Sequence, residues 1–254
     1  MSGDRRRRRK QAGLALLLAA GLAVGSPADL SAEAATAEPV PPPRARPAIA
    51  EPVRLPDARP QAPAQNEAAT GDGASEACLA RLTSLGVKFS AVAPIVANGG
   101  CRVPAPVAIV EIAPGVRLTP DSRLNCRATE ALATWMRDVV LPASRAELGS
   151  WPTVVIHDST YVCRRRNGRP DGKLSEHATG NAIDIRAIAF AGRDPLLIRK
   201  RNGHESDEKR FQARLRKGAC EYFSTVLGPG TDAAHANHFH FDLARRKGGY
   251  RLCE

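Results

Sequence analysis

The sequence predicts an α+β domain with a small antiparallel sheet, flanking helices and disulfide bonds. Strand-like and helix-like segments follow one another without a regular alternation, which is typical of this class. The large aromatic side chains are confined to the later part of the chain, since no Phe, Trp or Tyr precedes Phe89. Because a core needs such side chains, we place the folded domain at residues 76–254.

The first 34 residues have the pattern of an export signal. A basic block, Arg5–Lys10, is followed by an uncharged apolar run, Ala12–Val24, and by a small-x-small sequence that ends at Ala34. We therefore predict a signal peptide at residues 1–34 and a location in the periplasm or cell envelope. The alternative is an uncleaved membrane anchor, although the apolar run is shorter than the ~20 residues that span a bilayer.

Residues 35–75 are predicted to form a disordered linker. Nine prolines fall between Pro39 and Pro63, mixed with Ala and Arg. This composition favours extended conformations and offers too little apolar surface for a core. The net charge of +11 indicates either an anionic partner or a solvated basic surface. Export and the scarcity of aromatic residues argue against a nucleic-acid partner.

Three helices are predicted from local signals and apolar spacing. The first covers Glu76–Leu85. The second extends over Thr119–Pro142, where a capping residue begins the pattern and a proline ends it. The third covers Ser206–Leu227 and is closed by the Gly-Pro-Gly sequence that starts at Gly228.

Four short strands complete the predicted fold. They lie at Val107–Ile112, Thr153–Ile156, Asn181–Ile185 and His238–Leu243. Gly115 marks a turn after the first of them. Strands this short and this few predict a small sheet.

Six cysteines lie in the predicted domain, and none belongs to a Cys-x-x-Cys pair. In an exported chain an even number of cysteines predicts up to three disulfides. Fifteen pairings are open at this stage. The candidates are Cys78, Cys101, Cys126, Cys163, Cys220 and Cys253.

Two motifs contain residues that could bind a metal ion or take part in catalysis. The first begins at Ser175 and reads Ser-Glu-His-Ala-Thr-Gly-Asn-Ala-Ile-Asp. On one helix His177 and Asp184 would lie about 10 Å apart along the axis, too far to share an ion bound at about 2 Å. Joint ligation therefore needs a bend, and Gly180 tolerates the left-handed backbone of such a bend. The strand alternation that follows directs Asp184 away from the core.

The second motif is His-Ala-Asn-His-Phe-His-Phe-Asp, which ends at Asp242. Its alternation sends Phe239 and Phe241 into the core and places His238, His240 and Asp242 on the opposite face. Same-face neighbours on a strand lie about 7 Å apart. Both imidazoles can therefore bind one metal ion, or one can bind while the other stays beside it.

Histidine and carboxylate side chains on two apolar-backed segments predict a single metal site. Nitrogen and oxygen ligands of this kind favour zinc over calcium or magnesium. Polar residues on a solvated face are the alternative explanation. That explanation suits one isolated histidine better than four histidines and two aspartates whose directions are fixed by the apolar residues between them.

The two motifs together resemble the Ser-x-His-x-x-Gly-x-Ala-x-Asp and His-x-His signature of zinc peptidases that cut cell-wall peptides. These are the D-alanyl-D-alanine carboxypeptidases and dipeptidases and the penicillin-insensitive murein endopeptidases, which share a fold with hedgehog signalling domains. The region from Cys78 to Glu254, with its cysteine pattern and Pro-rich leader, is similar to the bacterial extensin-like C-terminal domain family.

The resemblance implies a role for each matching residue. His177, Asp184 and His240 would be the zinc ligands, and water would take the fourth position. His238 would lie beside the metal and assist proton transfer. His235 matches an additional active-site histidine of the murein endopeptidases.

The resemblance is looser around the remaining candidates. The segment that ends at Arg164 is similar to a Ser-x-Tyr-Arg segment of the carboxypeptidases, which implies that Arg164 binds a substrate carboxylate or an oxyanion. A surface arginine is the alternative. Ser175 and Asp242 are candidates to orient a ligand or the substrate. Many of these carboxypeptidases have an acidic residue, which acts as the base, shortly before the last histidine. The nearest preceding acid here is Asp232, so the sequence is closer to the endopeptidase pattern.

We therefore predict a zinc-dependent hydrolase of amide bonds in peptidoglycan stem peptides or cross-links, acting as an endopeptidase or a carboxypeptidase in cell-wall remodelling. Peptidoglycan is the predicted partner, and the membrane is contacted only through the signal or an uncleaved anchor. The alternative from another class is a non-catalytic, zinc-containing module that binds or scaffolds the wall. Hedgehog relatives show that such a fold can keep its metal while doing other work.

Overall fold

The computed structural model describes residues 76–254. The signal peptide and the linker predicted at residues 1–34 and 35–75 lie outside the described residues. No helix within 76–254 is long and apolar enough to cross a membrane. The described part mixes helices and strands, and the α+β class is confirmed.

Four α-helical segments and eleven strands make up this part of the chain. The helices are α1 (Glu76–Ser84), α2 (Cys126–Trp135), the single turn α3 (Leu141–Ala143) and α4 (Asp207–Ala219). The first six strands are β1 (Lys88–Ala91), β2 (Ile95–Val96), β3 (Arg102–Val103), β4 (Pro106–Ala113), β5 (Val116–Asn125) and β6 (Pro152–Ser159). The others are β7 (Ala182–Phe190), β8 (Arg193–Leu197), β9 (Thr225–Leu227), β10 (Phe239–Asp242) and β11 (Leu252–Cys253).

The sheet is larger than predicted, and it is mixed. Nine strands join it in the order β1-β4-β5-β6-β7-β10-β9-β11, with β8 paired to β7, while β2 and β3 form a separate ribbon. The pairs β5–β6 and β9–β11 are parallel and the others are antiparallel. A parallel pair needs a long crossover, and the helical path between β5 and β6 supplies one. The prediction of a small, wholly antiparallel sheet is therefore wrong.

The helix predicted to start at Thr119 begins later, because the residues around Thr119 belong to β5. This strand pairs antiparallel with β4 and buries alternate side chains, Leu124 among them, as a strand does. The helix begins at Cys126, where the side chain of Asn125 accepts a hydrogen bond from the backbone N–H of Ala128. Asparagine is a preferred residue at this capping position.

The predicted end of that helix at Pro142 is also wrong. The helical path continues beyond α2 through π-helical turns at Met136–Val140 and Ser144–Leu148, with α3 between them. In a π-helical turn each N–H bonds to the carbonyl five residues back instead of four. This change in the hydrogen-bond pattern lets the helical path pass Pro142, which has no N–H of its own. Gly149 ends the path in the left-handed conformation, with φ 59°.

The last predicted helix is shorter than expected. It begins where Ser206 caps it by accepting a hydrogen bond from the N–H of Lys209, and it ends at Ala219. The prediction is wrong for Thr225–Leu227, which forms β9 instead. β-Branched side chains favour a strand there, and Phe223 still reaches the core from the connecting turn.

The core lies on the face of the sheet that carries Phe239 and Phe241 of β10 and Ile183 of β7, all of them buried. Trp135 of α2 meets Phe241 edge to face, with ring centroids 5.3 Å apart. Because side chains alternate along a strand, the residues between these apolar ones face the other side of the sheet. Packing and polar chemistry are thus separated by the sheet.

All six cysteines form disulfides, as predicted, and the structure supplies the pairing. One bridge joins α1 to the start of α2, one joins the β2–β3 ribbon to the loop after β6, and one joins the end of α4 to β11. Disulfides of this kind indicate an oxidising, exported environment. The pairs are Cys78–Cys126, Cys101–Cys163 and Cys220–Cys253.

The two tryptophans allow a matched test of the core. Trp135 is fully buried and its indole N–H donates to the carbonyl of Leu215 at 3.1 Å, whereas Trp151 is 46 % exposed. We expect Trp135→Ala to lower the free energy of unfolding by about 3–5 kcal/mol, because it leaves a cavity and removes the hydrogen bond to Leu215. Trp151→Ala should lower it far less. Urea unfolding followed by circular dichroism measures both, and equal losses would contradict this core.

Candidate metal centre

The centre is built on a cross-strand pair. β7 and β10 run antiparallel, and their register places Asp184 directly opposite His240. On the other side of β7, Ser159 of β6 lies opposite Asp184. The hydroxyl of Ser159 donates to Oδ2 of Asp184 at 2.7 Å. Side chains that are directly opposite share one face of a sheet, so Asp184 is held between two neighbours on the face away from the aromatic core.

His177 reaches the same point from a tight turn before β7. A 3-10 turn at Glu176–Thr179 carries it, and the hydroxyl of Ser175 accepts a hydrogen bond from the N–H of His177 at 3.4 Å. Gly180 ends the turn with φ 62° and leads the chain into β7. The bend that joint ligation requires therefore lies at the predicted glycine, and the imidazole is fully buried.

One nitrogen from each of two imidazoles and the two carboxylate oxygens of Asp184 converge between these elements. Nε2 of His177 lies 3.2 Å from Oδ2 of Asp184 and 3.3 Å from Nδ1 of His240. Nδ1 of His240 lies 2.8 Å from Oδ1 of Asp184. One ligand atom from each residue lies within 4.8 Å of the others. In a tetrahedral metal site with bonds of about 2.0–2.1 Å the ligand atoms are about 3.3 Å apart, and the cluster fits that size.

The outer nitrogens of both imidazoles are fixed by oxygen acceptors. Nδ1 of His177 donates to the carbonyl of Thr160 at 2.7 Å. Nε2 of His240 donates to Oδ2 of Asp242 at 3.1 Å. A histidine whose one nitrogen carries the proton presents a lone pair on the other. Both lone pairs are thus directed at the point that Asp184 also faces.

Asp242 is itself anchored on the face where the sequence places it. Its Oδ1 accepts hydrogen bonds from the hydroxyl of Thr225 and from the N–H of Ala244. Burial alone raises the pKa of Asp242, but hydrogen bonds from His240 and Thr225 outweigh burial and lower it. The carboxylate therefore stays charged behind His240.

The electrostatics of the cluster call for a cation. Burial alone raises the pKa of Asp184, but the hydrogen bonds of His177 and His240 leave it well below its usual value. Burial alone lowers the pKa of His240, but hydrogen bonds to Asp184 and Asp242 raise it to about 9. Lone pairs that converge in a buried place repel one another unless positive charge lies between them. A proton or a metal ion satisfies this demand.

Two further histidines border the side of the cluster that is open to solvent. His238 directly precedes β10, and its Nε2 lies 3.7 Å from Oδ1 of Asp184. The ring of His235 lies 5.4 Å from that of His238 and 5.7 Å from that of His240, measured between centroids. The structure thus brings seven of the predicted site residues together: Ser175, His177, Asp184, His235, His238, His240 and Asp242.

Arg164 is near the cluster through its backbone only. Its carbonyl accepts a hydrogen bond from the N–H of Ser175, and Leu174 pairs with Arg165 in a short bridge. The side chain of Arg164 is exposed, and within residues 76–254 no hydrogen bond or ion pair joins it to the three converging side chains. The predicted contact with a substrate stays a prediction.

Sequence reasoning missed three supporting groups. The carbonyl of Thr160 has no signal in a sequence, because every residue carries a carbonyl. Ser159 belongs to the segment that resembles the carboxypeptidases through Arg164, and its bond to Asp184 follows only from the β6–β7 register. The sequence offers Asp232 only as the acid nearest to the last histidines, whereas the structure shows its Oδ1 at 2.7 Å from Nδ1 of His235.

The fold and the cluster define a disulfide-bonded α+β sheet domain with a largely buried His-Asp-His cluster whose geometry could hold a metal ion. The chain belongs to the family described as extensin-like protein C-terminus, whose model matches residues 76–254. No curated protein and no solved structure matches the chain.

Gly180 offers a test of how the turn positions His177. A Cβ at this position would lie 3.0 Å from the backbone nitrogen of Asn125 and 3.2 Å from the side chain of Val103. Gly192 has a similar left-handed backbone with no atom within 4 Å of the added Cβ. We expect Gly192→Ala to cost about 1–2 kcal/mol of unfolding free energy for the backbone alone. Gly180→Ala should cost about 1–3 kcal/mol more, because the packing is also disturbed.

Urea unfolding of the two glycine variants measures this difference. Equal destabilisation would mean that the turn before β7 yields to a methyl group and does not hold His177 tightly.

Proposed function

We propose that this protein is a zinc-dependent hydrolase that cleaves amide bonds in bacterial cell-wall peptides. The observation that carries the proposal is the convergence of Nε2 of His177, a carboxylate oxygen of Asp184 and Nδ1 of His240, beside an open side lined by His238 and His235. Three ligands with an open fourth side are typical of catalytic zinc, whereas structural zinc sites are closed. The motif resemblance to wall peptidases supports the choice of substrate.

The donor set favours zinc over other common ions. Two imidazole nitrogens and one carboxylate oxygen suit zinc, while calcium and magnesium prefer oxygen ligands in larger number. The two imidazole nitrogens lie 3.3 Å apart, and each lies 2.8–3.2 Å from one of the two oxygens of Asp184, which is close to the spacing in a small tetrahedral site. When bound, zinc supplies a Lewis acid that polarises a carbonyl and makes water a nucleophile near neutral pH.

The residues around the cluster hold the ligands in a fixed direction. Ser159 holds one oxygen of Asp184, the carbonyl of Thr160 holds the ring of His177, and Asp242 holds the ring of His240. Acceptors behind metal-bound imidazoles fix the tautomer and raise the basicity of the ligand. Little rearrangement is then needed when a substrate carbonyl approaches.

His238 is suited to carry a proton on the open side. Its Nδ1 donates to the side-chain oxygen of Asn237 at 3.1 Å, which leaves the lone pair on Nε2. Burial lowers its pKa, so the ring is neutral at pH 7 and able to accept. In the proposed reaction a water oxygen bonds to the carbonyl carbon while its proton passes to an imidazole. The C–N bond then breaks and the proton passes to the leaving amine nitrogen.

The surroundings of the centre suit a substrate with carboxylate groups. The hairpin that precedes His177 is rich in arginine, and the side chain of Arg164 has no carboxylate partner within residues 76–254. Stem peptides of peptidoglycan carry free carboxylates, with which an arginine forms strong charge-assisted hydrogen bonds. The predicted export of the chain would place the protein where this polymer lies.

The central experiment measures metal content and product release together. We expect the full chain to bind one zinc ion and to release soluble fragments from cross-linked peptidoglycan, with loss of release when a chelator removes the metal. His240→Ala should abolish both binding and release. His204→Ala, which changes an exposed histidine outside the cluster, is the matched control and should leave both intact. Muropeptide profiling identifies the bond that is cut.

A different outcome would favour the module without turnover. Peptidoglycan binding without any fragment release, unchanged by His238→Ala, would reject the hydrolase and support a wall-binding domain. Absence of zinc from the purified wild-type chain, with no binding on addition of zinc, would reject the metal site itself.

Asp242→Asn tests the support behind His240. Oδ1 of Asp242 faces donors from Thr225 and Ala244, so the amide oxygen of an asparagine takes that place and its NH₂ turns toward Nε2 of His240. Two donors cannot face each other, and the ring proton must move to Nδ1, the ligand atom. We expect zinc affinity to fall about 10- to 100-fold. Asp194→Asn, an exposed site on β8, should change it little.

Competition with a chromophoric zinc chelator measures both affinities. Unchanged affinity in Asp242→Asn, together with an unchanged fold, would show that this carboxylate does not set the tautomer of His240.

A further inference from the structure

The segment between β9 and β10 contains an aspartate–histidine pair beside the proposed centre. Oδ1 of Asp232 lies 2.7 Å from Nδ1 of His235 and also accepts the backbone N–H of His235 at 3.0 Å. The imidazole is 19 % exposed, whereas the carboxylate is 52 % exposed. The histidine is therefore the inner member of the pair, and the aspartate holds it from the solvent side.

We propose that Asp232 is a positioning residue for the hydrolysis: its carboxylate holds the Nδ1–H tautomer of His235 and so keeps Nε2 of that ring as a proton acceptor beside His238 and His240. This inference rests on the proposed function. It gives a role to the acid that shortly precedes the last histidines in the sequence, which acts through His235 instead of touching the substrate.

The geometry fixes the direction of the ring. A carboxylate oxygen only accepts, so the proton between Asp232 and His235 belongs to Nδ1, and the lone pair belongs to Nε2. A free imidazole has no such constraint and exchanges its proton between the two nitrogens. The ring centroid of His235 is 5.4 Å from that of His238 and 5.7 Å from that of His240. The ring that carries the unprotonated Nε2 therefore lies on the open side of the cluster.

The segment that carries Asp232 is itself anchored. The guanidinium of Arg216 donates to the carbonyl of Pro229 and to the hydroxyl of Thr231. That hydroxyl also accepts the N–H of Gly228. The residue just before Asp232 is thus tied to α4, and the start of β10 follows His238. Because the segment is held at both ends, the carboxylate of Asp232 can hold the ring of His235 more firmly than a carboxylate on a mobile loop could.

In the reaction His235 is the imidazole that accepts the proton a water molecule loses when its oxygen bonds to the carbonyl carbon, and the neutral His238 beside it assists the transfer. The C–N bond breaks, and the proton passes from Nε2 to the amine nitrogen. Asp232 keeps its hydrogen bond to Nδ1 throughout and stabilises the doubly protonated ring, as an aspartate does in an Asp-His pair.

The test compares two substitutions that preserve the turn. In Asp232→Ser the short hydroxyl can still cap the backbone N–H of His235 but cannot reach its ring. In Asp232→Asn the amide oxygen can still accept from both groups, without charge. Asp194→Asn is the control for the loss of one exposed acid.

The first readout is the imidazole nitrogen spectrum of the ¹⁵N-labelled full chain, without metal and with zinc, at a pH well above the ordinary pKa of histidine. In the wild type we expect Nδ1 of His235 to carry the proton. In Asp232→Ser the proton should move toward Nε2, whereas Asp232→Asn should resemble the wild type. A wild-type ring protonated on Nε2, or no change in Asp232→Ser, would overturn the proposal.

The second readout is the release of peptidoglycan fragments. We expect Asp232→Ser to lower kcat by about 10- to 100-fold with little change in KM, and zinc affinity to stay within about twofold of the wild type. A loss confined to KM, or an equal loss of zinc affinity, would overturn the positioning role. If the wild type releases no fragments, the proposed function fails, while the tautomer measurement still decides how Asp232 holds His235.

Discussion

The register between β7 and β10 is the constraint on which the centre depends. It places Asp184 opposite His240 while Phe239 and Phe241 pack on the other face. A slip of one residue would exchange the two faces, burying the polar side chains and exposing the aromatic rings. The hydrophobic effect therefore fixes which face carries Asp184 and His240, because a slip of one residue would lose the burial of Phe239 and Phe241 and the edge-to-face contact of Phe241 with Trp135.

The same arrangement makes the centre costly without positive charge. His177 is fully buried and Asp184 is nearly so, and each charged or lone-pair-bearing atom taken from water must be compensated. The protein compensates the outer atoms by hydrogen bonds and leaves the inner atoms facing one another. A cation between the inner atoms would relieve this repulsion. The outer hydrogen bonds therefore matter as much as the three converging side chains, because they fix the direction of those side chains.

The sequence predicts the direction of the site residues better than it predicts the fold around them. Period-two alternation alone places Phe239 and His240 on opposite faces, and a glycine alone marks the bend after His177, because these are local rules. The start of α2 is set by the hairpin that β5 forms with β4, and β9 is set by its pairing with β10, so the local capping and spacing signals at Thr119 and Thr225 are misleading. The disulfide pairing and the carbonyl of Thr160 depend on the complete fold.

The loops that support the centre are restrained by connections to distant parts of the domain. The loop after β6, which carries Thr160, is tied to the β2–β3 ribbon by Cys101–Cys163. The segment that carries Asp232 is tied to α4 by Arg216, and α4 is tied to β11 by Cys220–Cys253. Loops are ordinarily the most mobile parts of a fold, and aromatic residues make up only 4 % of this chain. Because aromatic residues are few, cross-links help to hold the groups proposed to be catalytic within the small tolerances that such chemistry requires.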